Sequence, residues 1–168
     1  AMFKGDPVVM TGTTNTTIKV LSGPLNASSV WTGWLEDIRV TDGAINSGAS
    51  VVIPTSPLEP PRASTQLMLH GGFTEGSTTI IDSSTYNRTV TSTPSASYEN
   101  DIYAFKDSSI AAPGTGGIRQ LSQSDVSWGS SFTVEGFTRV WNGSYTVETV
   151  LAKNYDGDTY PGGLNVFK

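Results

Sequence analysis

The chain has no cysteine, which excludes disulfides, thiolate metal ligands and thiol nucleophiles together. It has one histidine, His70, and no G-x-S-x-G elbow, so a Ser-His-Asp triad is excluded as well. His70 stands between Leu69 and Gly71 in an apolar stretch, where a buried imidazole bonded to the backbone is expected. Charge is scarce, at 15% of residues, and the net formal charge is −5. With no basic stripe to neutralise phosphates, a nucleic-acid partner is not expected. The Lys and Arg residues are dispersed singly, which gives an anionic membrane surface no anchor. No apolar run approaches bilayer-spanning length, and residues 1–10 hold no signal-peptide core. Residues 66–92 show no helical periodicity.

What fills the space is Gly, Ser and Thr, with aromatic residues scattered along 168 positions. That length allows a genuine core, and the composition is that of a turn-rich extracellular β-protein rather than a disordered chain. Short strands are expected at 17–21, 31–40, 66–70, 78–81, 89–92, 101–105, 118–121, 131–141, 146–153 and 163–168, with loops at 22–29, 95–100 and 107–117 and a hairpin at 2–9. On a regular strand Trp34, Glu36, Ile38 and Val40 share one face, and Leu35, Asp37 and Arg39 share the other. Phe132, Val134, Thr138 and Val140 share a face with Gly136, while Phe137 and Trp141 share the opposite one. Apolar groups on both faces predict that 131–141 is a central strand.

Residues 66–92, QLMLHGGFTEGSTTIIDSSTYNRTVTS, resemble the opening of a laminin-G-like, concanavalin A-like domain in their LMLH, GSTT, IDSS and TVTS elements. SFTVEGF near 131 and TVLAK near 149 are similar to later strands of that opening half. GWLEDIRVTDGAINSG, beginning at Gly33, resembles the family's last strand, and VVIPTSPLEPP its extended tail, with Glu36 where the family prefers Asp. The resemblance implies an all-β fold, an antiparallel β-sandwich of the jelly-roll type. Its pieces come in the order end, linker, beginning. Pro54, Pro57, Pro60 and Pro61 favour extended backbone and mark a linker or a sheet-edge strap. The expected division is therefore 1–53 as the last strands of one module, 54–64 as linker, and 65–168 as the first part of a second. A half-sandwich by itself would expose an apolar face and open strand edges, so an excerpt of tandem modules is favoured over one permuted sandwich.

Catalysis finds little footing. Glucanases of this fold use E-x-D-x-x-E on one strand face, and the nearest match runs from Glu99 through Asp101 to Ala104, with the last carboxylate missing. Glu36 and Asp37 are adjacent and point to opposite faces of a regular strand, so Glu36 reads as a carboxylate that pins backbone amides or an arginine. No enzyme activity is expected. Residues 154–163 alternate Asn, Asp and Gly in the manner of a calcium loop, but Asn165 stands where the closing Glu belongs; no cofactor is expected, and calcium is only weakly supported. Trp128, Tyr155 and Tyr160, with Asp156 and Asp158, supply aromatic rings beside hydroxyl-binding groups and are the candidate glycan-binding residues. Four Asn-x-Ser/Thr sequons, at Asn15, Asn26, Asn87 and Asn142, are the background of a Ser/Thr-rich chain.

The resemblance, the missing cysteines and the proline joint point to the surface modules of tailed bacteriophages. The expected function is a non-catalytic structural or adhesion module on a virion or cell surface, such as a tail fibre, appendage or capsid decoration. Its expected partners are a surface glycan, other virion proteins, and copies of itself. A purely architectural component is the alternative, and a polysaccharide-cleaving enzyme stands behind both.

Overall fold

The computed structural model describes residues 18–20, 33–45, 54–58, 61–91, 96–112, 120–121, 131–140, 149–153 and 165–167. Among the described residues there are ten strands and no helix. These are β1 (Ile18–Val20), β2 (Gly33–Asp42), β3 (Thr65–Leu69), β4 (Val90–Thr91), β5 (Ser97–Glu99), β6 (Ser109–Ala112), β7 (Gln120–Leu121), β8 (Phe132–Val140), β9 (Thr149–Lys153) and β10 (Asn165–Phe167). One sheet runs β10-β9-β1-β7-β4; the other runs β3-β2-β6-β5, with β8 also on β2. Every pairing is antiparallel. The all-β, antiparallel class is as the sequence implies.

The second sheet is organised around β2. From Gly33 to Asp42 one of its edges pairs with β8. The other edge is shared: Gly33–Leu35 face β6, and Ile38–Thr41 face β3. Strands on both sides of the proline-rich stretch thus belong to a single sheet, and residues 54–64 connect two of its neighbours. Among the described residues β8 pairs with β2 alone; residues 132–138 are half-buried and Arg139 is exposed. β2 carries partners on both of its edges and is the strand around which this sheet is built.

Regular alternation fails at Asp37. Glu36 is opposite Phe137 and Arg39 opposite Glu135, so β2 holds one extra residue between them. Asp37 takes up the excess with φ of 55°, a left-handed conformation that Asp tolerates better than most residues. Gly136 lies against this bulge, where an added Cβ would come within 3.2 Å of Ile38 Cα. The bulge flips the parity of everything after it. Residues directly opposite share a face, so Leu35 aligns with Ile110 and Thr138, Ile38 with Leu69, and Val40 with Leu67 and Val134. Leu35, Ile38, Val40, Leu67, Leu69, Ile110 and Tyr98 are at most 1% exposed. The predicted grouping of Trp34 and Glu36 with Ile38 and Val40 is therefore corrected: Trp34, Glu36, Arg39 and Thr41 occupy the other face.

That second face is polar and still buried. Glu36 is 3% exposed and Arg39 5%. The proline-rich stretch is clamped to it at Leu58, whose N–H donates to Asp37 Oδ2 at 3.0 Å and whose carbonyl accepts from Arg39 Nη1 at 2.7 Å. A Pro-rich segment cannot enter the ladder, but it supplies carbonyls and apolar side chains to seal a charged face, and Leu58 is buried there.

Two local expectations are reversed. The sequence predicts a loop at 95–100 and a strand at 101–105; the structure has β5 at Ser97–Glu99 and bends through 101–107. Three successive amides of that loop converge on one carboxylate, which the alternating amides of a strand cannot do. The expected strand at 78–81 is reduced to a single bridge, Ile81 to Thr89, and β6 falls inside the expected 107–117 loop. The expected hairpin at 2–9 and loop at 22–29 lie outside the described residues.

Tyr98 ties β5 to its surroundings. Its hydroxyl accepts a bond from Ile81 N–H at 3.3 Å, and its ring meets Phe73 with centroids 4.9 Å apart. Burial pushes the phenol up from 10.0 to about 12, with the Ile81 bond opposing. The unfolded chain releases this proton near pH 10 and the folded chain near 12, so the unfolded state binds fewer protons in that window. Stability is then intact below pH 10 and falls by about 2–3 kcal/mol as pH rises to 12. Urea unfolding across this range should show that slope, and Tyr98→Phe should lack it.

Candidate functional site

Two loops bring large aromatic side chains to the surface, residues 82–88 and 101–107. Tyr86 and Tyr103 are each 51% exposed.

The 82–88 loop is built on Asp82, a buried carboxylate. Its Oδ1 accepts from Met68 N–H at 3.0 Å and Ser84 N–H at 2.9 Å; its Oδ2 accepts from the Ser84 hydroxyl at 2.9 Å and Arg88 N–H at 3.1 Å. Ser83 N–H donates to Met68 O at 2.8 Å, so the loop occupies the free edge of β3. Ser84 then turns the chain: its hydroxyl accepts from Tyr86 N–H at 3.3 Å, and its carbonyl accepts from Asn87 N–H at 3.1 Å. Asn87 adopts φ of 44°, within the range Asn tolerates. Above this base, the Arg88 guanidinium lies over the Tyr86 ring, 4.0 Å from its centroid. Arg88 also donates from Nη1 to Gln66 O and from Nη2 to Gln66 Oε1, and Gln66 Nε2 donates to the Tyr86 hydroxyl at 3.3 Å. An exposed tyrosine is thereby held in one orientation.

The 101–107 loop is held by Glu36. One carboxylate oxygen accepts from Phe105 N–H at 3.0 Å and Lys106 N–H at 2.6 Å, and the other from Ala104 N–H. The carboxylate pins backbone amides, the role expected for it. Phe105 packs edge-on to Phe137 at 4.8 Å, on the same face as Glu36. Glu36→Gln turns an amide NH₂ toward these donors and should cost about 1–3 kcal/mol. The drop is read from the urea midpoint at unchanged m-value.

His70 is buried, its Nδ1–H donating to Gly71 O at 2.6 Å and its ring stacked on Phe73 at 5.2 Å. This agrees with the backbone-bonded imidazole expected. Glu99 ends β5 and accepts from the Ser97 hydroxyl at 2.8 Å, whereas Asp101 and Ala104 lie in the following loop. The E-x-D-x-x pattern therefore does not line one strand face. Among the described residues, no three His, Asp or Glu gather to hold a metal ion, and no helix is long and apolar enough to cross a membrane.

Trp128, Tyr155, Asp156, Asp158 and Tyr160 lie outside the described residues, as does the calcium-like stretch 154–163. Tyr86, Arg88 and Gln66 were not anticipated as a group. Their signal was an aromatic residue and an arginine two positions apart in a loop otherwise made of Asp, Ser, Thr and Asn. Comparison with family models, curated proteins and solved structures finds no match to the chain.

Proposed function

We propose that the chain is a non-catalytic adhesion module of a virion or cell-surface protein, folded as a jelly-roll sandwich of the laminin-G-like type and binding surface glycans. The observation that carries this reading is how the buried charges are used. Glu36, Asp82 and Asp37 accept from backbone amides, and Arg39 is bonded to Glu135 and to a backbone carbonyl. Such groups stiffen loops, and stiff polar loops carrying exposed tyrosines suit weak, repeated recognition of hydroxyl-rich surfaces. The pairing of β2 with strands beyond the proline-rich stretch supports one permuted sandwich over parts of two tandem modules.

The test is a microbial polysaccharide array probed with the protein displayed multivalently. Binding to at least one surface polysaccharide is expected. A blank array, with correct folding verified, favours the architectural alternative, in which the contacts are with other copies or other virion proteins.

A further inference from the structure

We infer that Tyr86 is a pre-organised stacking platform for the apolar face of a neutral pyranose, with the exposed Thr85 hydroxyl and Asn87 amide beside it to meet ring hydroxyls. This rests on the glycan-binding reading and assigns it a place in the fold.

Four observations converge on the loop. First, the ring is half exposed although it is fixed. An ordinary surface tyrosine rotates freely, and a ligand that stacks on it must immobilise it at an entropic cost. Here Arg88 supports one ring face at 4.0 Å and Gln66 Nε2 holds the hydroxyl at 3.3 Å, so that cost has been met in folding. Second, the guanidinium takes one ring face and the residue is still 51% exposed, so a ligand would stack on the opposite face. A flat apolar surface with a polar rim matches one face of a pyranose, where axial C–H groups lie together and hydroxyls project around them.

Third, the backbone beneath is stiff. Asp82 makes four bonds across the loop and to β3, and Ser84 ties Tyr86 and Asn87 to the turn. Fourth, the neighbours are suitable donors and acceptors. Thr85 and Asn87 are exposed on either side of Tyr86, and neither side chain makes a hydrogen bond among the described residues. Tyr103 has the same exposure, but no side chain is stacked on its ring among the described residues, which makes it the internal comparison.

The experiment uses the full chain, labelled with ¹⁵N and titrated with methyl glycosides of glucose, galactose, mannose and N-acetylglucosamine, with saturation-transfer NMR alongside. At least one glycoside should shift the amides of 85–88 and receive saturation from the Tyr86 ring. Tyr86→Ala should weaken that binding at least tenfold with an unchanged unfolding midpoint. Tyr86→Phe, which keeps the ring and loses the Gln66 bond, should weaken it only a few-fold, and Tyr103→Ala should leave it unchanged. If the polysaccharide array is positive but Tyr86→Ala binds as well as the parent, the platform is overturned while glycan binding stands. If no glycoside shifts 85–88, the platform is likewise overturned. If the array itself is blank, the reading on which the platform rests falls with it.

Discussion

Glu135→Ala is expected to lower the unfolding free energy by about 3–5 kcal/mol, the range for removing one partner of a buried ion pair. Glu135 Oε2 accepts two bonds from Arg39, from Nη2 at 2.6 Å and from Nε at 3.0 Å, and the two side chains are 9% and 6% exposed. The residues are directly opposite on β2 and β8, so the pair also records the register that the Asp37 bulge imposes. Without Glu135 the guanidinium keeps its bond to Leu58 O but loses the carboxylate it is paired with. The cost belongs to the orphaned charge rather than to the pair's intrinsic worth. Replacing both residues, Arg39→Met with Glu135→Leu, should therefore recover most of the loss. Urea unfolding of the two singles and the double gives the coupling directly. Equal losses in the single and the double would show that packing, not the unpaired charge, sets the effect.

Gly71→Ala is expected to cost about 3 kcal/mol, the upper end of ordinary overpacking. A Cβ on Gly71 would fall 1.6 Å from Ser108 O and 2.7 Å from Ser108 C. Both are backbone atoms of the residue just before β6, so no flexible side chain can swing aside. Relief requires residues 71–73 to move away from Ser108, whose hydroxyl accepts from Gly72 N–H at 2.9 Å and Phe73 N–H at 3.2 Å and donates to Phe73 O at 3.2 Å. Those bonds would go with the displacement. Gly76→Ala separates space from backbone strain: its φ is 73° but nothing lies within 4 Å of an added Cβ, so about 1 kcal/mol is expected. The two variants should be well resolved in urea midpoints. Similar midpoints would mean that the approach of Gly71 to Ser108 is not as close as the structure places it.

Much of the second sheet was legible from sequence because its strands are long or apolar. WLEDIRV, QLML and FTVEGFTRV announce β2, β3 and β8 by their apolar residues and turn flanks. The spacing of Leu35, Ile38 and Val40 also held a clue, since three residues then two cannot align on a regular strand. Only an extra residue between them brings all three to one face. Alternation alone mixed Glu36 with the apolar set and hid the bulge.

β5 and β6 were not legible. SYE and SIAA are short and small: β6 becomes a strand because β2 offers Gly33–Leu35 as a template, and β5 because β6 then offers its other edge. DIYAF has better strand composition yet bends, because Glu36, far away in sequence, offers its loop a carboxylate. Propensity yields to tertiary hydrogen bonding in both cases. Asp82 was visible as part of IDSS, but the Tyr86–Arg88–Gln66 arrangement was not, since it joins a loop to the edge of β3 across twenty residues.

The account depends most on β2 as a bulged central strand joining segments on both sides of the proline-rich stretch. Cross-strand nuclear Overhauser contacts along β2 and β8 test this most directly. The account predicts that Leu35 faces Thr138 and that Val40 faces both Val134 and Leu67. A regular strand would instead place Val40 opposite Thr133. Finding that pairing, or finding no contact between Val40 and Leu67, would contradict the bulge or the single sheet on which the rest is built.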